Sequence, residues 1–169
     1  DRGDSSLKMA LKAHSILQHA YMVSRGDLDF INFLNIDSLI INNNQSRQNL
    51  YEYEAIILAM GGFHGLEINN RKYYWNALLD DFEPVYYDGM INTKSPIESF
   101  ILENNNFYYY SEDFLAVVKI LISKINNLDD KIFVDRVLEL CNSQDCKIEK
   151  INNFLPNIRK NLLNHKNKI

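Results

Sequence analysis

The residue types best suited to chemistry gather in one segment, 61–92. It begins Gly61-Gly62-Phe63-His64-Gly65-Leu66-Glu67-Ile68-Asn69-Asn70-Arg71-Lys72 and ends near Asp88-Gly89. An amide oxygen from Asn69 or Asn70 and a carboxylate oxygen from Asp88 make a hard-oxygen donor set, suited to Mg2+ with phosphate oxygens completing the shell. His64, set among glycines, offers an imidazole that can take or orient a proton. Arg71 and Lys72 can contact phosphate or serve as solvated charges at a strand edge. Each residue also has a plainer use. Asp before Gly is a common turn, Asn-Asn recurs in this chain as a turn former, and His64 can brace its own loop.

Those side chains need elements to bring them together. Leu50, Tyr53, Ile56, Ile57 and Met60 predict a helix over 48–60, which Gly61-Gly62 closes with a sharp change of direction. Residues 63–70 read as a polar loop. Aromatic-rich stretches 71–76 and 82–87 predict two antiparallel strands joined by a short loop, with Pro84 favouring an edge. The outer ends of a hairpin lie side by side, so Asn69 or Asn70 and Asp88 are expected to share a ligand.

This order of helix, polar loop, Asn, hairpin and Asp-Gly resembles the C-terminal lobe of an atypical protein-kinase-like fold. The likeness is to the spore-coat CotH kinase family, and more distantly to HipA-type kinases, and covers residues 48–92. In such enzymes a catalytic-loop Asp precedes a metal-binding Asn by five residues, and a hairpin leads to a second metal-binding Asp. Here His64 stands five residues before Asn69, where the family has Asp, and Asp88-Gly89 matches the second acid. The resemblance implies Mg2+- and ATP-dependent phosphoryl transfer to a protein or small hydroxyl acceptor. Asn69 or Asn70 and Asp88 would hold metal, Asn69, Asn70 and Arg71 would face the nucleotide phosphates, and His64 would sit beside the acceptor. Neither a Gly-rich loop nor a strand Lys that would clamp ATP is present, so an N-terminal lobe is expected upstream, in a longer parent protein. This chain alone is expected to be inactive. The alternatives are a catalytically inactive pseudokinase or interaction module, and a carbohydrate-associated surface protein using Trp75 and Tyr109.

The rest of the chain predicts helices. Ser5 or Ser6 starts one that Gly26 ends, and one or two short helices follow over 27–41. Residues 42–47 read as a loop. Pro96 introduces a helix over 97–103, Ser111 caps 114–125, and Asp129 or Asp130 opens a helix to about Leu140. A last helix spans 148–163 and is expected to break at Pro156. Asn runs at 42–44, 104–106, 126–127 and 152–153 read as connecting loops. The aromatic run 107–110 is assigned to the core. His14, His19 and His165 are read as ordinary helix positions. The expected fold is therefore α+β and predominantly α-helical: one domain over 1–169, with one β-hairpin at about 71–88 packed on a helical bundle.

Composition bounds the rest. Of 169 residues, 46% are hydrophobic and 24% charged, normal for a globular chain, and the net charge of -4 offers no basic face for nucleic acid. No apolar run approaches the roughly 20 residues that span a bilayer. Asp1-Arg2-Gly3-Asp4 lacks a signal-peptide pattern, and Cys141 and Cys146 read as two reduced thiols. A soluble, cytoplasmic rather than secreted protein is the expectation.

Overall fold

The computed structural model describes residues 3–26, 36–39, 44–93, 111–140 and 148–167. Among them are five α-helices and one two-stranded antiparallel ribbon, so the predominantly helical α+β class holds. The helices are α1 (Asp4–Gly26), α2 (Asn44–Ala59), α3 (Glu112–Asn126), α4 (Asp130–Leu140) and α5 (Ile148–Asn167). Short 3-10 turns occupy Ile36–Leu39 and Phe63–Leu66, and the strands are β1 (Lys72–Asn76) and β2 (Asp81–Val85).

Helix α2 is the hub, touching α3, α5, β2 and the Phe63–Leu66 turn. Its buried residues Leu50, Tyr51, Glu54, Ala55 and Leu58 fall on one stripe, and Glu54 is the sole charge in it. On α3 the apolar set Phe114, Val117, Val118, Leu121 and Ile125 follows the helical period and is buried. Phe114 meets Tyr51 edge to face with ring centroids 5.5 Å apart. From α5, Ile151, Leu155, Ile158 and Leu162 complete the core. Each such aliphatic side chain taken from water contributes about 1.5–3 kcal/mol.

Long-range polar contacts close the helix ends. Asn161 of α5 donates to Ala59 O at 2.8 Å, satisfying a last-turn carbonyl of α2, and to Thr93 O at 3.2 Å. Arg159 donates to Ile125 O at 3.1 Å and Leu128 O at 2.8 Å, doing the same for α3. Ser111 caps α3 by accepting from Phe114 N at 3.2 Å. Asp129 accepts from Ile132 N at 2.9 Å at the start of α4.

In the ribbon Tyr73 faces Pro84 and Trp75 faces Phe82. Phe82 packs edge-on against Trp75 at 4.9 Å and Tyr73 at 6.0 Å, forming the face turned toward the core. Pro84 is tolerated because each strand of a two-stranded ribbon keeps one edge without a ladder partner.

Three expectations need correction. Residues 44–47 are helical rather than loop: Ser46 is buried and donates to Asp81, and Gln45 donates to Asn49 at 2.8 Å, so tertiary and i,i+4 contacts outweigh the turn preference of Asn. Helix α5 runs unbroken through Pro156, and Asn152 and Asn153 are helical too. Burial of Leu155, Ile158 and Leu162 on both sides of the proline outweighs one missing hydrogen bond. Of the span 27–41, only the Ile36–Leu39 turn is described. The helix over 97–103, the Asn run 104–106, the aromatic run 107–110, Cys141, Cys146 and the His165 side chain lie outside the described residues. No helix among the described residues is long and apolar enough to cross a membrane.

Candidate functional site

The C-terminus of α2 sets the geometry. Gly62 N donates to Ile57 O and Gly61 N to Leu58 O, both at 2.9 Å, with Gly61 at φ 67. This is a Schellman ending, in which glycine takes the left-handed position that other residues reach at a cost. Behind the reversed chain the backbone of 87–92 passes in near contact. A Cβ on Gly61 would lie 2.3 Å from Asn92 O, and one on Gly65 would lie 3.0 Å from Gly89 Cα. Asn92 N donates to Met60 O at 2.9 Å, fixing that segment against the end of α2. Because both glycines lack a side chain, the chain leaving β2 lies directly on the His64 turn.

Local hydrogen bonds shape the loop that follows. Gly65 N donates to Gly62 O, Glu67 N to His64 O, and Asn70 N and Arg71 N to Glu67 O, at 2.9–3.3 Å. Tyr21 of α1 reaches across and donates to Ile68 O at 3.1 Å; burial raises its pKa, with Arg71 opposing the rise.

His64 is the meeting point. Asn70 Nδ2 lies 3.0 Å from His64 O and 3.1 Å from His64 Nε2. A carbonyl only accepts, so the amide nitrogen must face it. Its second proton is then directed at Nε2, a contact that suits the neutral tautomer with its proton on Nδ1. Nδ1 faces Glu67 Oε2 at 3.5 Å. Asp88 Oδ2 lies 3.4 Å from the same Nε2. Asp88 holds this place at φ 44, a left-handed conformation that short polar residues tolerate better than others do, and Met90 follows at φ 50.

The structure thus brings His64, Glu67, Asn70 and Asp88 together, at a position open to solvent: the side chains of His64 and Asp88 are 38% and 54% exposed. Asn69 is also exposed. Among the described residues no group of three or more His, Cys, Asp or Glu is placed to hold a metal ion. Glu67 and Asp88 approach different nitrogens of one ring, so they do not converge on a point. Of the oxygen donors that Mg2+ takes, the Asp88 carboxylate stands in the cluster, while Asn70 turns its amide nitrogen to His64.

Arg71 is placed differently from the solvated strand-edge charge expected of it. It is 5% exposed, and its guanidinium grips both carboxylate oxygens of Glu54, Nη2 to Oε2 at 3.1 Å. Nε donates to Leu66 O at 2.6 Å, and Nη1 to Tyr73 OH at 3.3 Å. Burial pushes the Tyr73 pKa up to about 12, with Arg71 opposing the rise and Glu54 adding to it. Strand parity in the sequence pointed toward this inward placement without deciding it. Arg71 shares strand parity with Tyr73 and Trp75, and Glu54 interrupts the apolar stripe of α2. Lys72, by contrast, is exposed, with its ammonium 5.1 Å from the centroid of the Tyr87 ring. Of the two aromatics proposed for a carbohydrate platform, Trp75 packs on Phe82 and Tyr109 lies outside the described residues.

Comparison with protein-family models, with curated proteins and with solved structures finds no match to this chain.

Proposed function

We propose that this chain is the helical C-terminal lobe of a CotH-like, kinase-fold phosphotransferase, and that the 61–92 segment is its metal and acceptor end. The observation that carries the reading is the approach of Asn70 Nδ2 and Asp88 Oδ2 to one imidazole nitrogen, at 3.1 and 3.4 Å. Asn70 and Asp88 hold Mg2+ in this reading, and a bound Mg2+ neutralises charge on the transferred phosphoryl group. In this reading His64 Nε2, which accepts from Asn70 and lies 3.4 Å from Asp88, takes the proton of an acceptor hydroxyl once the Asn70 amide gives way. Glu67, facing Nδ1, then steadies the imidazolium. The ATP clamp comes from an N-terminal lobe of a longer parent, since phosphoryl transfer depends on positioning that this lobe alone does not supply.

The test is calorimetric titration of Mg2+, then ATP with Mg2+, into this chain and into the parent. Mg2+ binding by the wild type that is lost in both Asp88→Asn and Asn70→Ala supports the reading. Asn at position 88 removes the charge while keeping tolerance of positive φ, so a folding defect does not confuse the result. ATP turnover by this chain alone is expected to be negligible; turnover at catalytic rates would overturn the assignment of the clamp to another lobe. A second reading, an inactive interaction module, is favoured by His64 standing where the family has Asp. Absence of Mg2+ and ATP binding even in the parent would select it.

A further inference from the structure

We infer that Arg71, oriented by Glu54, is a positioning residue for the His64–Asn70 loop and not a ligand for phosphate. The guanidinium adds a polar tie between α2 and the turn carrying His64, at the start of β1. Its Nη atoms take both oxygens of Glu54 on α2, and its Nε takes the carbonyl of Leu66, the last residue of the turn carrying His64. The same residue's backbone N–H donates to Glu67 O at 3.1 Å, so Arg71 holds the loop at two successive residues. The Arg71 and Glu54 side chains are each 2% exposed, which turns the fork away from any ligand arriving at the open face beside Asp88.

A planar guanidinium is needed for this task. It donates in fixed directions from Nε and both Nη atoms, whereas a lysine gathers its three donors on one nitrogen and does not reproduce those separate positions. With the carbonyl fixed, the turn places the His64 backbone oxygen and ring where the Asn70 amide can reach both. That pair of contacts suits the imidazole tautomer with its proton on Nδ1. Arg71 therefore acts on the site through Leu66 and Asn70 without touching it. Its effect on metal affinity rests on the phosphotransfer reading; its effect on the loop does not.

Two variants separate positioning from folding. Glu54→Met with Arg71→Met removes both charges together, so neither is left buried alone, and Arg71→Lys keeps the charge but loses the fork. The readouts are nitrogen chemical shifts of the His64 ring, hydrogen exchange at the Glu67, Asn70 and Arg71 amides, exchange at α3 amides as a control, and Mg2+ calorimetry. In both variants the loop amides exchange about tenfold faster while α3 is unchanged. The His64 ring shifts to a mixed tautomer, and Mg2+ affinity falls about tenfold. Wild-type loop exchange and ring shifts in both variants would overturn the inference. So would loosening of α3 to the same degree, which would make the pair a general structural tie. A loosened loop with unchanged Mg2+ affinity would refute the link to the site. If the wild type takes no Mg2+ yet the loop loosens as expected, the positioning role stands and the phosphotransfer reading fails.

Discussion

Of the glycines at 61, 62, 65 and 89, Gly61 should be the one where an added methyl group does most damage. Two penalties combine. At φ 67 an alanine sits in the left-handed region, which costs about 1–2 kcal/mol. Its Cβ would also lie 2.3 Å from Asn92 O, a backbone atom with no rotamer to swing aside. An ordinary carbon–oxygen contact is about 3.3 Å, so the 92 segment must retreat by about 1 Å. That retreat breaks the Asn92 N to Met60 O hydrogen bond of 2.9 Å, a further loss of about 1 kcal/mol. The sum is about 3 kcal/mol, or a melting temperature lowered by about 10 °C for a chain of this size. Urea unfolding gives the free energy directly, and an unchanged m-value checks that the native and denatured states are comparable. Gly3→Ala is the matched control, since a Cβ there meets only Ser5 Oγ at 3.9 Å. A Gly61→Ala variant within about 1 kcal/mol of wild type would show that the 60–92 contact is not what closes the site.

Arg71→Met alone should cost about 3–5 kcal/mol in urea unfolding, because it strands the Glu54 carboxylate in the core, whereas Glu54→Met with Arg71→Met should recover most of the loss; a double variant as unstable as the single one would contradict the pairing. Burial raises the pKa of Asp81 above the ordinary 3.8, against a lowering by the Phe82 N–H. The folded state therefore holds the Asp81 proton more tightly than the unfolded state does. The stability this gives is present below 3.8 and is lost as pH rises through the raised value. Asp81→Asn should remove that slope, so its stability relative to wild type improves as pH rises through this window; parallel urea midpoints across it would refute the assignment. Ser111→Ala should cost about 1 kcal/mol by removing the acceptor for Phe114 N, with Ser111→Gly costing only a few tenths, both read by thermal unfolding.

Patterns of local origin were legible in the sequence. The helical spans of α1 and α3, the Ser111 cap, the glycine stop after α2 and the aromatic ribbon each depend on neighbours a few positions away, and the boundaries of β1 and β2 shifted by no more than two residues. The same reasoning misplaced residues 44–47 and the effect of Pro156, because there distant partners decide: Ser46 answers to Asp81, and the last helix to the core it covers. Hairpin geometry pointed to an Asn near Asp88, and the structure brings Asn70 and Asp88 each to the same His64 nitrogen, but spacing could not choose between Asn69 and Asn70. Nor could it turn Arg71 inward, although strand parity pointed that way.

By itself, then, the sequence determined the helical class, the ribbon and the segment where polar chemistry collects, since period and turn chemistry are properties of consecutive residues. Tertiary structure alone decided which amide meets His64, which way the Arg71 fork faces and how near Asp88 comes. Those facts depend on the 87–92 backbone lying against Gly61 and Gly65 and on a carboxylate waiting on another helix. No local pattern encodes a contact between chain segments brought together only by folding.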